Sequence, residues 1–206
     1  MKVYHLLLTS LLIVTGCKPD HHYHDGTKLF DYHYFTIRVP QSWKQVQVRG
    51  IDSYVGEIDI GGGKRVSFDM GWYCWKLDEG HRTNYYSIEG GNVYTPDSSA
   101  KQNLNDPSVW KYVGKADSVN VEKVKRNKEV WITLDHYKAK LVTPKKTGLG
   151  PTGVYIDSLW KAGDGIDGFV LNGDNLNAKQ QQQLIAAIKT LKFYQHPEKC
   201  KEDNDD

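Results

Sequence analysis

Tyr54-Val55-Gly56-Glu57-Ile58-Asp59-Ile60-Gly61-Gly62-Gly63-Lys64-Arg65-Val66-Ser67-Phe68-Asp69-Met70-Gly71-Trp72-Tyr73 is the stretch on which the fold turns. In its second half Val66, Phe68, Met70 and Trp72 alternate with Arg65, Ser67, Asp69 and Gly71, the period-two pattern of a half-buried strand. Gly61-Gly62-Gly63 supplies the positive φ that short hairpin turns demand. The stretch therefore reads as a hairpin with strands over 54–60 and 64–73. A glycine cluster can also cradle phosphate, but such a loop opens a helix and usually carries a Lys-Ser/Thr pair. Lys64-Arg65-Val66-Ser67 instead continues a strand.

Upstream, Phe35, Ile37 and Val39 alternate with Thr36 and Arg38 up to Pro40, a second half-buried strand, and Trp43 is expected to pack back onto the sheet. Downstream, residues 76–117 are polar and lack periodicity, with turn signals at Glu89-Gly90-Gly91-Asn92, Thr95-Pro96-Asp97 and Asn105-Asp106-Pro107. Long aperiodic segments are commonly functional or mobile. This one is entered through Trp72-Tyr73-Cys74-Trp75 and carries Tyr85, Tyr86 and Tyr94. Trp72, Tyr73, Trp75, Tyr85 and Tyr86 are the candidate recognition surface; the competing reading is that these rings simply cover the sheet.

Strand signals resume at Val119 and Val121, with a turn at Arg126-Asn127-Lys128 and a return over 129–142. There Val130, Ile132 and Leu134 are expected on one face, and Trp131, Thr133 and Asp135 on the other. Lys145-Lys146-Thr147-Gly148-Leu149-Gly150-Pro151 reads as an exposed basic loop, since no helix signal follows it to build an anion site. Residues 154–160 and 166–171 form a last strand pair around Ala162-Gly163-Asp164-Gly165; Asp164 and Asp167 lack the spaced ligands of a calcium loop. The clearest helix follows. Asn177 is its N-cap with Gln180 three residues on, and Leu184, Ile185, Ile188 and Leu191 form one apolar stripe.

Strands around hairpins followed by a strong C-terminal amphipathic helix argue for an α+β fold with an antiparallel sheet. Phe35-Thr36-Ile37-Arg38-Val39-Pro40 with Trp43, and Leu171-Asn172-Gly173 leading to Ile188-Lys189-Thr190-Leu191-Lys192-Phe193, resemble the two ends of the PsbP-like domain family. That resemblance implies an antiparallel sheet with flanking helices, an α/β/α sandwich, in an envelope setting. It implies no activity, because function belongs to sites rather than folds.

The N-terminus reads as an address. Met1-Lys2 gives a short positive region, residues 3–14 an apolar core too short to span a bilayer, and Thr15-Gly16 a small-residue boundary. Val14-Thr15-Gly16-Cys17 resembles the bacterial lipobox, which implies cleavage before Cys17, a diacylglyceryl thioether on its sulfur and acylation of the new amine; several acyl chains anchor stably where one is marginal. Lys18, where an aspartate would mark inner-membrane retention, tilts the resemblance towards the outer membrane, on its periplasmic or surface face. The expected organisation is a signal peptide over 1–16, a flexible tether over 17–32, a single α+β domain over 33–196 and a polar tail over 197–206. His21, His22 and His24 sit in the tether beside Asp20 and Asp25; such a tract can meet a transition metal but offers no preorganised ligand set, so no metal site is expected.

A net charge of +2 and a pI near 8.3 are too mild for a nucleic-acid footprint. With Cys17 assigned to lipid, Cys74 and Cys200 remain, either a disulfide favoured by export or two free thiols. No G-x-S-x-G elbow is present, His81 and His136 have no evident nucleophile partner, and Cys74 has only Lys76 nearby to activate it. Glu57, Asp59 and Asp69 read as solvent-facing strand positions; Glu89 completes the candidate carboxylates for glycan chemistry. No catalytic residue and no cofactor is therefore expected.

The leading expectation is a lipid-anchored envelope protein, held to the membrane through Cys17, that binds or scaffolds an envelope protein or a glycan. The alternative is a surface lipoprotein that binds or processes glycans with exposed Trp and Tyr; six Trp and 13 Tyr supply the rings. The address is open to test: Cys17→Ser should abolish labelled-palmitate incorporation and move the protein to the soluble fraction, whereas unchanged labelling would contradict the lipid anchor.

Overall fold

The computed structural model describes residues 25–77, 86–96 and 107–194. Strands β1 (Thr27–Tyr32) and β2 (Phe35–Pro40) pair antiparallel along their whole length. β3 (Lys44–Val46), β4 (Tyr54–Gly61) and β5 (Lys64–Gly71) follow, then β6 (Ser87–Glu89), β7 (Asn92–Pro96) and β8 (Trp110–Lys115). A single helical turn, α1 (Val121–Val124), precedes β9 (Asn127–Leu134) and β10 (Tyr137–Pro144). The long strands β11 (Pro151–Ala162) and β12 (Gly165–Asp174), the helix α2 (Ala178–Ile188) and the short β13 (Lys192–Phe193) complete the described fold.

These strands form three antiparallel sheets. The largest has the order β3-β4-β5-β12-β11-β10-β9, the second β1-β2-β13 and the third β6-β7-β8. Tight turns with positive φ build several of the hairpins, because that geometry matches the twist of the strands they join. Gly62 and Gly63 (φ 66° and 69°) turn β4 into β5, and Gly90 and Gly91 (φ 55° and 77°) turn β6 into β7. Asp135 and His136 (φ 45° and 67°) do the same between β9 and β10 without glycine.

The main core fills the space between one face of the seven-stranded sheet and a cover made of β1, β2, β13 and α2. Phe35, Ile37 and Val39 descend from β2, and Leu184, Ala187 and Ile188 from α2, onto Ile58, Val66, Phe68, Ile156, Phe169 and Leu171. Trp43 is buried in the same core, as its apolar spacing from β2 suggests. The opposite face of the large sheet carries a smaller cluster, in which Cys74 and Leu77 cover Val142, Tyr155 and Val170. Both capping-box hydrogen bonds are made, Gln180 N–H to Asn177 Oδ1 at 3.0 Å and Asn177 N–H to Gln180 Oε1 at 3.2 Å. The Gln180 side chain also donates to Gly61 O at 3.1 Å, tying α2 to the first hairpin turn.

The fold corrects the expected α+β sandwich with flanking helices. Strand accounts for 56% of the described residues and helix for 11%, so this is a mostly-β protein in which α2 is the one multi-turn helix among them. The position that flanking helices would occupy is largely taken by a second sheet. β1 lies within the stretch expected as tether, where Phe30 is buried and Tyr32 packs against the core. The aperiodic stretch contains the third sheet, whose short strands carry too few residues for an alternation to register. Val121 opens α1 rather than a strand, and Asn127 begins β9 rather than a turn. The return read over 129–142 is two strands, because Asp135-His136 lacks the usual glycine signal. Val130, Ile132 and Leu134 pair with Leu141, Ala139 and Tyr137 on the core-facing side, as expected, although Val130 on this edge strand is exposed.

Asp135 locks the seven-stranded sheet to the β1-β2-β13 sheet. Its carboxylate accepts from Phe193 N–H at 2.7 Å and Lys192 Nζ at 2.9 Å, holding β13 against the β9–β10 turn. Burial pushes this carboxyl up, but the Phe193 amide and the Lys192 ammonium outweigh it and hold it below the usual carboxylate range. A depressed native pKa contributes stability above the unfolded value and loses it as pH falls through the folded value. Asp135→Asn keeps a residue type that tolerates positive φ. It should lower stability by about 1–2 kcal/mol at pH 7. In urea melts the gap from wild type should narrow below pH 4; a gap unchanged at pH 3 would contradict the role of the charge.

Candidate functional site: an aromatic cleft with unpaired carboxylates

Pairing between β5 and β12 ends at Gly71 and Gly168, and the chain then leaves the sheet. The strand expected to continue through Tyr73 therefore stops two residues early. Trp72, expected on the buried face, is 53% exposed, and Tyr73 is 87% exposed. Cys74 and Leu77 turn back inward to cover the sheet. This out-and-in path stands Trp72 and Tyr73 on the rim of a cleft of about 710 Å³.

The floor of the cleft is the outer end of the core's aromatic packing. Fully buried Phe35 meets Phe68 edge-on at 5.0 Å, and Tyr54 lies 5.5 Å from Phe68. Tyr34 meets Tyr54 edge-on at 5.0 Å and lies 6.3 Å from Trp160. Tyr34, Tyr54 and Trp160 all line the cavity. Edge-to-face contacts of this kind suit the ring quadrupoles and resist sliding, so the floor is held by the core itself.

Polar groups enter from three loops and strands. Asp52 and Ser53 precede β4, Asp69 comes from β5 and Asp167 from β12. Asp167 accepts from Trp160 Nε1 at 3.2 Å, which orients the indole across the β11–β12 hairpin where the two residues face each other. Asp69 was expected to face solvent; it is instead half-buried, and its Oδ1 is buried with no hydrogen-bond partner among the described residues. None of the described residues lining the cleft is a lysine, arginine or histidine.

The expected recognition surface is divided rather than continuous. Trp72 and Tyr73 belong to the cleft, whereas Trp75, 48% exposed, borders a separate groove of about 300 Å³ with Val48, Val55 and Val170. Asp69 lines both spaces. Tyr86 is 5% exposed and so is removed from the candidate surface. Tyr85, His81 and Cys200 lie outside the described residues, as do Cys17 and the histidines of the tether. Tyr34, Asp52, Tyr54, Trp160 and Asp167 were not anticipated as site residues. The last pair was within reach of counting: a two-residue turn at Gly163-Asp164 sets Ala162 against Gly165 and hence Trp160 against Asp167.

Cys74 is a buried thiol with no disulfide partner among the described residues, lying 3.3 Å from both Asp69 O and Gly71 O. Burial, with the Asp69 and Asp167 carboxylates adding to it, pushes this thiol up to about 12, far from the thiolate that nucleophilic chemistry requires. Among the described residues no group of three or more His, Cys, Asp or Glu side chains is placed to hold a metal ion. No helix among them is long and apolar enough to cross a membrane. The arrangement suits binding: flat apolar ring faces beside hydrogen-bond acceptors with spare capacity.

No family model matches the chain, and no curated protein matches it.

Trp72 owes its position to Gly165, since a Cβ there would come within 2.4 Å of the indole. Gly165→Ala should displace this ring while leaving the sheet intact, costing less than about 2 kcal/mol because the indole is exposed enough to move. Near-UV circular dichroism and tryptophan fluorescence should change while the far-UV spectrum does not; unchanged aromatic spectra would contradict the packing.

Proposed function

We propose that this chain is an exported lipoprotein, anchored through lipid on Cys17 and facing the envelope space, whose β domain binds carbohydrate in the cleft below Trp72 and Tyr73. The observation that carries the reading is the combination at one site of exposed ring faces with carboxylates that retain free acceptor capacity. Sugar rings present apolar C–H faces that stack on aromatic planes and equatorial hydroxyls that donate to such acceptors. The floor rings Tyr34, Tyr54 and Trp160 are pre-ordered by the core, so little of their conformational entropy is lost when a ligand settles. Nothing in the cleft requires a reaction, and binding accounts for its groups without one. Lys18 after the acylated cysteine favours the outer membrane as the site of anchorage.

A second reading, scaffolding of an envelope protein, draws on β9. It is the last strand of the large sheet and exposes Val130 (41%) and Trp131 (56%) beside an edge to which another strand could add. Lys138 lies over the Trp131 ring at 4.6 Å and blunts that surface with charge. The cleft is the better-formed site.

The two readings separate by calorimetric titration against a panel of soluble oligosaccharides. Trp72→Ala should weaken binding roughly 2- to 12-fold, the worth of one stacked ring. Trp131→Ala should leave it unchanged. Equal binding by wild type and Trp72→Ala would remove the cleft from the account.

A further inference from the structure

We infer that the ligand of this cleft is a cationic sugar, one bearing a free protonated amine, rather than a neutral or acidic one. The inference rests on the carbohydrate reading and adds the charge class. Three carboxylates, Asp52, Asp69 and Asp167, line the cavity, and no cationic side chain does so among the described residues. Several carboxylates elsewhere on the surface have a cationic side chain of the chain's own beside them. Glu57 pairs with Arg65, Asp157 with Lys76 and Asp135 with Lys192. Among the described residues the three cleft aspartates form no ion pair. Three like charges around one cavity focus a negative potential into it and concentrate cations there.

The rings add a second, independent preference for positive charge. Aromatic faces attract an ammonium through their quadrupole, most strongly for Trp and Tyr. At three other sites a lysine of the chain lies over a ring: Lys28 over Phe30 at 5.2 Å, Lys138 over Trp131 at 4.6 Å and Lys140 over Tyr155 at 5.6 Å. Trp72 and Tyr73 carry no such lysine among the described residues, and they border the acidic cavity. Asp69 adds an acceptor without a hydrogen-bond partner among those residues. An amine on a sugar ring answers both features at once, its ring stacking on the indole and its ammonium meeting the carboxylates. A uronic acid would bring a like charge into the same field.

The test is calorimetry on the full-length protein in detergent with four probes: fully deacetylated glucosamine tetramer, its N-acetylated counterpart, galacturonic acid tetramer and tetralysine. The glucosamine tetramer should bind at least roughly tenfold more tightly than the N-acetylated one at low salt, with the uronic acid weakest. Added salt should shrink that margin. Tetralysine, a cation without a sugar ring, should bind at least roughly tenfold more weakly than the glucosamine tetramer. The double substitution Asp69→Asn, Asp167→Asn should bring the ratio of the affinities for the amine and N-acetylated tetramers down to roughly one. Asp52→Asn, at an exposed position, should reduce the preference in part and serves if the double variant fails to fold. Equal affinity for the amine and N-acetylated tetramers would overturn the inference and leave the carbohydrate reading standing. Equal affinity for tetralysine would overturn it in favour of unspecific charge attraction. No binding of any probe would overturn it too, and silence across the wider oligosaccharide panel would then overturn the carbohydrate reading as well.

Discussion

Phe35 is wholly buried where the small sheet meets the large one, with its ring 4.8 Å from Tyr32, 5.0 Å from Phe68 and Phe169 and 6.1 Å from Phe193. Those neighbours belong to β1, β5, β12 and β13, so one side chain joins four strands of two sheets. Burying a ring of this size contributes about 3 kcal/mol from removal of apolar surface alone. More important is its directionality. Edge-to-face contacts set orientation as well as distance, and the packing passes outward through Phe68, Tyr54 and Tyr34 to Trp160. The cleft floor is thus a surface exposure of the core, and its rings are as fixed as the core is.

The rim is built differently. Trp72 and Tyr73 have left the sheet, and Trp72 is positioned by lying on the backbone of Gly165. A rigid floor beside a more adjustable rim is a common division of labour in binding sites: the floor fixes register, and the rim closes on what is bound. Asp167 spans the two by orienting Trp160 while lining the cavity.

Hairpin signals carried much of the fold into view. Gly61-Gly62-Gly63, Glu89-Gly90-Gly91-Asn92 and Gly163-Asp164 are turns because their backbone geometry admits few other residues. The capping box at Asn177 and Gln180 was legible for the same reason, being a local exchange of hydrogen bonds. Asp135-His136 escaped, since the turn there is held by tertiary contacts of Asp135 with β13. The error in fold class came from coverage. One amphipathic helix suggests helices on the sheet, whereas β1 reaches the core through a hairpin whose turn, His33-Tyr34, has no glycine to signal it, and β13 only through long-range pairing with β2. In the site, Trp72 and Tyr73 are exposed on one cleft, but Trp75 and Tyr86 do not join them, because where a chain leaves a sheet depends on where its partner strand ends.

The six tryptophans give this account its most direct test, because each indole N–H yields a separate resonance in a ¹⁵N-labelled sample. On titration with amine-bearing glucosamine tetramer, the Trp72 and Trp160 indole signals should move together and saturate, while those of buried Trp43 and of Trp131 on β9 stay in place. Movement of Trp131 with Trp72 and Trp160 unmoved would place binding on the sheet edge and contradict the cleft as the ligand site.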